Sequence, residues 1–179
     1  MNPVGQKTVV ATRRVIIRHL RVADGDAMYC IFGDAEVMRY GEGTKTPQWV
    51  DQWVRDYVDD HYDAWGFGMW AVEERVGGQV IGYCGLSRLP QRCGPRETEI
   101  GYRSIRSRWG HGLATEAVCA VRDYAINTLQ LPKLIAIVDP ENIASLRVVE
   151  KAGFQYDREI MFDGYTHPDK VFTLIRHNP

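Results

Sequence analysis

One stretch limits this chain more than any other. ETEIGYR, residues 97–103, alternates like a β-strand. Two glycines two apart follow, Gly110 and Gly112, with the small Ala114 beyond them. A helix is predicted over 111–129. The first N–H groups of a helix have no partner inside the helix and carry partial positive charge. Glycine there removes side chains and lets a large anion reach the backbone. A phosphate or pyrophosphate is the natural ligand. A tight strand-to-helix turn with no ligand would read the same way. No G-K-[ST] follows the glycines, so this is not a P-loop. Position 115 is Thr and the preceding SIRSRW is polar, so the dinucleotide fingerprint fails as well.

Around this unit the chain reads as a mixed α/β order. RRVIIRHL, residues 13–20, predicts a first strand, and a helix follows over 24–32. Thr46-Pro47 is a helix start, an N-cap followed by proline in the first turn. Trp49, Trp53 and Tyr57 recur at helical spacing beside Val50, Val54 and Val58, which predicts a core-facing stripe. Strands are expected over 67–74 and 79–87, joined at Gly77-Gly78. The loop LPQRCGPR leads into residues 97–103. After the long helix come a strand over 133–138, a helix over 141–152 stopped by Gly153, and two strands over 154–161 and 170–176 around Asp163-Gly164. Strands come first, then β-α-β-α-β-β. That order predicts an α+β protein with helices on the faces of a mixed sheet, and not an alternating doubly wound fold.

The bulk numbers remove several classes of function. The 179 residues suit one domain, read as an N-terminal extension over 1–11 and a single domain over 12–179. A net charge of −1 supplies no basic field for nucleic acid or anionic membrane. No apolar run reaches the roughly 20 residues that a membrane span needs. The opening MNPVGQKTVVATRR lacks the apolar core of an export signal, so a cytoplasmic protein is expected. Cys30, Cys84, Cys93 and Cys119 are far apart and read as reduced thiols. The histidines at 19, 61, 111, 167 and 177 have no ligand spacing, so no metal site is expected.

ETEIGYRSIRSRWGHGLATEA, followed by DPENIASLRVVEKAGF, resembles the GNAT superfamily of N-acetyltransferases. The resemblance is nearest to the branch that includes the ribosomal-protein alanine N-acetyltransferases. It implies the GNAT fold: a mostly antiparallel central sheet of about six to seven strands, splayed in its middle and flanked by about four helices. It implies acetyl-CoA as co-substrate. The superfamily's phosphate motif, Q/R-x-x-G-x-G/A, has Trp109 in place of Gln or Arg here, then Gly110, His111, Gly112, Leu113 and Ala114. By resemblance the pyrophosphate sits on residues 109–114, with Arg108 and Arg106 as added charge. The pantetheine arm runs along the strand that contains Ile100, Tyr102 and Arg103.

The implied reaction is direct attack of an amine on a thioester. It needs a neutral amine, a stabilised oxyanion and a protonated leaving thiolate. No G-x-S-x-G elbow is present, which argues against a hydrolase. Glu99 is the candidate base, with Glu97 on the same face of the strand; Glu99 also fits a plain surface carboxylate. Asn142 and Ser145, at i and i+3, share one face of a helix start and also fit an N-cap pair. Many superfamily members place a tyrosine seven residues after this Asn; here Val149 occupies that position. The branch that this chain resembles has Ser three residues after the Asn, and that resemblance assigns Ser145 to protonate the thiolate and Asn142 to hold pantetheine or a water. Tyr40, Glu42, Trp65, Tyr165 and His167 are candidates to line the acceptor side. The acceptor is read as a primary amine, with a protein N-terminal α-amine as one option. The alternatives are a polyamine, amino acid or antibiotic, or a silent acyl-CoA sensor. Monomer and homodimer both remain open.

Overall fold

A computed structural model describes residues 7–88 and 97–176; the loop 89–96, Cys93 and His177 lie outside them. Among the described residues, eight strands form one sheet in the order β1-β2-β3-β4-β5-β6-β8-β7. They are β1 (Thr8–Ala11), β2 (Val15–Arg18), β3 (Met69–Glu74), β4 (Val80–Ser87), β5 (Glu99–Ser104), β6 (Lys133–Val138), β7 (Gln155–Ile160) and β8 (Asp169–Ile175). The helices are α1 (Gly25–Phe32), α2 (Pro47–Asp56), the short α3 (Tyr62–Trp65), α4 (Leu113–Asn127) and α5 (Ile143–Lys151). A π-helical turn, Tyr57–His61, joins α2 to α3.

The expected mixed sheet is present, with more strands than the sequence implied. Residues 8–11, read above as part of an N-terminal extension, pair antiparallel with β2. A four-residue edge strand carries too short an alternation to stand out in a sequence. Turn chemistry is realised where it was read. Gly77 and Gly78 have φ of 87° and 65° between β3 and β4, Thr46 caps α2 by accepting from the Trp49 N–H, and Gly153 stops α5 at φ 85°. The aromatic stripe of α2 differs from its reading. Val50 and Val54 are the buried face, whereas Trp49 is 40% exposed. Trp53 lies over the Phe32 and Tyr83 rings at 4.9 and 5.5 Å.

Two hydrophobic cores lie on opposite faces of the sheet. One joins α4 and α5 to the sheet through Ile100, Leu113, Val118, Leu134 and Val149. The other joins α1 and α2 to Ala71 and Tyr83. Arg18, 2% exposed, ties β2 to Asp24 and Glu73, each at 2.7 Å. Removing either carboxylate would leave a buried charge short of partners, typically at a cost of about 3–5 kcal/mol.

All neighbouring strands are antiparallel except β5 and β6, which are parallel and share one register pair, Glu99↔Ile135. Beyond it the ladder stops, and the two strands diverge toward their C-terminal ends. The wedge exposes backbone groups of β5 that a neighbouring strand would otherwise satisfy.

Candidate active site

The C-terminal end of β5 leads to the glycine turn. Gly110 and Gly112 have φ of 77° and 75°, the left-handed region that an L side chain enters only with strain. No atom lies within 4 Å of the place where a Gly110 Cβ would stand. Gly112 is the N-cap residue of α4 and has no side chain to cap it. The turn is thus open, and the first amides of a fifteen-residue helix lie beside it. The sequence-predicted anion cradle, residues 109–114, therefore has the backbone shape that an anion site requires.

Its side chains are held by local bonds. Trp109, 45% exposed, donates from Nε1 to the Ser104 carbonyl at 2.9 Å. The His111 ring Nδ1 lies 2.9 Å from the Trp109 carbonyl. Arg108 donates to Glu74 at 2.9 Å and to Gln79 at 3.1 Å, and Arg106 donates to Asp34 at 2.7 Å. Both guanidiniums read above as added phosphate charge are thus engaged with carboxylates from distant segments.

Alternation along β5 divides its residues between the two faces. Ile100 lies in the α4–α5 core, and Tyr102 reaches α5 on the same side. The Tyr102 hydroxyl lies 2.7 Å from Ser145 Oγ and 3.3 Å from the Ser145 carbonyl oxygen. Burial pushes the Tyr102 phenol well above its ordinary pKa, with the Ser145 hydrogen bond opposing. The position seven residues beyond Asn142 is Val149, which is fully buried. The phenol that this helix lacks arrives from the sheet. Nothing in the helix sequence signals this. The signal lies in Tyr102 sharing the strand face of Ile100.

Asn142 caps α5, its Oδ1 accepting from the Ser145 N–H at 3.1 Å. The N-cap option is realised, and it leaves the amide nitrogen of Asn142 and the Ser145 hydroxyl at one helix start.

Glu99, Gly101 and Arg103 face the α1–α2 side. Arg103 donates to the Tyr83 hydroxyl at 3.1 Å. A Cβ on Gly101 would lie 2.9 Å from the Met69 methyl, so close packing keeps this position small. Glu99 is half-buried at the first residue of β5, opposite Ser87. Glu97 precedes the strand and pairs with Lys133 at 2.7 Å. It is thereby an ionic partner of β6.

The five acceptor-side candidates are dispersed over three segments. Tyr40 lies under Arg39, Glu42 pairs with Lys45 at 3.0 Å, and Trp65 lies under Arg88. Tyr165 stacks edge-on to Phe162, and His167 lies 3.3 Å from Asp139. The fold also gathers a group that spacing does not reveal: ligand atoms of Asp139, His167 and Asp169 lie within 4.8 Å of one another. Among the described residues no helix is long and apolar enough to cross a membrane. A groove of about 800 Å³ between β1 and α4 contains none of the candidate catalytic residues. The smaller recess lined by Tyr102, Arg103, Ser104, Leu113, Ala114 and Ala117 follows β5 toward the cradle.

Comparison with known proteins agrees with this geometry. Residues 14–155 match the family model described as "Acetyltransferase (GNAT) domain". The chain is 35% identical over 156 residues to the uncharacterized protein YkkB of Bacillus subtilis, covering 86% of this chain and 89% of that protein. Among solved structures, a GNAT-family acetyltransferase from Bacillus anthracis superposes with a TM-score of 0.79 at 23% identity, covering 93% of this chain and 98% of that one. Ribosomal-protein-S5-alanine acetyltransferase from Vibrio fischeri gives 0.77 at 18% identity, covering 93% and 96%. The aminoglycoside acetyltransferase AAC(6')-Ib, solved with coenzyme A, gives 0.71 at 19% identity, covering 90% and 95%. With a family match over most of its length, a splayed β5–β6 pair and a glycine cradle at the start of α4, the chain belongs to the GNAT family and is an acetyl-CoA-dependent N-acetyltransferase.

Proposed function

We propose that the protein acetylates a primary amine by direct attack within a ternary complex, and that the preferred acceptor is the α-amine of a peptide N-terminus. The reading is carried by the Tyr102–Ser145 pair, 2.7 Å apart at the start of α5. Acetyl-CoA lies with its pyrophosphate on residues 109–114 and its pantetheine in the β5–β6 wedge. The amine nitrogen attacks the thioester carbon and loses a proton to Glu99, directly or through a water. The C–S bond breaks, the thiolate takes a proton from Ser145, and Ser145 takes one from the Tyr102 hydroxyl; Tyr102 regains a proton from solvent and Glu99 returns the amine's proton to solvent before the next turnover. Asn142 holds Ser145 in place, its Oδ1 accepting from the Ser145 N–H, and offers its amide nitrogen to the pantetheine.

The choice of acceptor follows from the modest base. A carboxylate base is poorly matched to a lysine-type amine. An α-amine near 8 needs only about 1 kcal/mol to be neutral at pH 7, against roughly 4–5 kcal/mol for an amine near 10.4. A polyamine acceptor is the second reading, favoured by a specific observation. Glu99 and Asp169 share one face of the sheet through the Glu99↔Ile135 and Ile137↔Val171 pairs, and Asp139 joins them there. Three carboxylates suit an acceptor with several positive charges.

The test is thiol release from acetyl-CoA with three acceptors: peptides with free N-termini, the same peptides N-blocked but containing lysine, and spermidine. The free N-terminal peptides are expected to give the highest kcat/KM. Spermidine as the best substrate overturns the N-terminal assignment. Coenzyme binding without turnover for any amine would make the protein a sensor.

A further inference from the structure

Arg14 lies at the turn between β1 and β2, far from the phosphate motif in sequence. In space it meets that motif. Its Nη1 donates to the His111 carbonyl at 2.9 Å, and its Nε contacts Glu116 Oε2 at 2.5 Å. Its backbone N–H donates to the other Glu116 oxygen at 2.9 Å, and Thr12 Oγ1 donates to that same oxygen at 2.6 Å. Its Nη2 lies 3.6 Å from where a Cβ on Gly112 would stand. Glu116 belongs to the first turn of α4, and its own N–H donates to the Gly112 carbonyl at 3.1 Å. The guanidinium therefore spans the cradle from His111 to the first helical turn.

This arrangement has a physical purpose. Gly110 and Gly112 add no side chains to hold the loop, and glycine is the residue that loses most freedom on ordering. A loop that must present several amides to one anion needs an external support. The planar fork of an arginine holds a carboxylate and a carbonyl at once. Burial works against ionisation of Glu116, but the Thr12 and Arg14 hydrogen bonds prevail and hold its carboxyl below the ordinary value. The clamp is thus charged at neutral pH.

We infer that Arg14, through Glu116 and the His111 carbonyl, is a positioning residue for coenzyme binding: it fixes the 110–112 backbone in its anion-binding form. This rests on the proposal that residues 109–114 hold the pyrophosphate. Arg14 orders the loop before acetyl-CoA arrives, so its loss is paid in affinity and not in the chemical step.

The experiment compares Arg14→Gln, Arg14→Lys, Glu116→Gln and Ala114→Glu in the full-length protein. Acetyl-CoA affinity is measured by calorimetry, KM and kcat by thiol release, and folding by thermal melting. Arg14→Gln is expected to raise the Kd and KM for acetyl-CoA about ten-fold, the scale of one charge-assisted bond, with kcat at saturation within about two-fold. Arg14→Lys keeps the charge without the fork and should recover part of the loss. Glu116→Gln should shift KM in the same direction by about three-fold. Ala114→Glu puts a carboxylate into the cradle without touching a left-handed residue, and it tests the pyrophosphate assignment alone. If Ala114→Glu abolishes binding while Arg14→Gln binds as wild type, the clamp is overturned and the cradle stands. If Ala114→Glu also binds normally, the pyrophosphate assignment itself falls. A kcat loss without a KM change overturns the positioning role. Should Arg14→Gln fail to fold, Glu116→Gln decides by the same criterion.

Discussion

The two ends of the proposed site are built differently. The coenzyme end uses backbone: left-handed glycines at 110 and 112, the first amides of α4, and the exposed edge of β5 where β6 diverges. The acceptor end is proposed on side chains from separate segments: the loop after α1, the end of α3, the first residue of β5, and the turn before β8. Backbone recognition needs particular residues in a short run, because only certain residues permit the conformation. Side-chain recognition needs only that some groups meet in space. One end is therefore set by a short run of sequence, and the other by the packing of separate segments.

This contrast breaks most decisively at the cradle. Gly112→Glu should reduce acetyl-CoA affinity by about a hundred-fold or more, because a bulky carboxylate then stands where the anion would sit. The φ of 75° adds a strain cost of about 1–2 kcal/mol, so thermal melting must accompany calorimetry. Unchanged affinity would mean that the glycines serve the turn and not the coenzyme.

Between the two ends stands the Tyr102–Ser145 pair. Ser145→Ala should lower kcat by roughly 10–100-fold, the low end of general acid catalysis, because a thiol is already a fair leaving group. The acetyl-CoA KM should hardly change. Tyr102→Phe should fall in the same range, and the double variant should cost little more than either single one if they act as one unit. Additive losses would separate them.

On the acceptor side, Glu99→Gln is expected to lose about ten-fold at neutral pH and to recover as pH rises, since solvent then deprotonates the amine. A loss that is uniform with pH would make Glu99 structural. His167→Ala should change the amine KM and leave that of acetyl-CoA alone, within a few-fold. If both constants move together, the two ends are not separable.

The smallest effect concerns pH and stability. His19, stacked on Tyr62 at 3.9 Å, and His61 both have pKa values lowered by burial below the ordinary 6.5. The unfolded chain binds these protons more readily, so their stabilising contribution is full above 6.5 and is lost as pH falls through the lowered folded values. Tm should therefore decline modestly below that point. A Tm independent of pH there would contradict the burial of both rings.

Most of the element order could be read directly, since period, caps and glycine stops are local. Thr46, Gly77-Gly78 and Gly153 each do in the structure what their chemistry predicts. The edge strand β1 escaped because four residues carry too little pattern. The exposure of Trp49 escaped because helical spacing names a face without saying how far its rim is covered. Arg106 and Arg108 sit beside the phosphate motif in sequence, yet they turn to Asp34 and Glu74.

What the amino-acid order determines by itself is the coenzyme end. A left-handed turn, a helix start and a capped second helix are short-range consequences of Gly110, Gly112 and Asn142. What only the tertiary structure decides is which distant side chains gather at either end. Arg14 reaches His111 and Glu116 from the first hairpin, Tyr102 supplies a phenol to Ser145 from the sheet, and Asp139, His167 and Asp169 converge across β6 and β8. The reason is physical. Backbone conformation is set by residues a few positions apart, whereas a contact between distant side chains exists only after the sheet and its helices have packed.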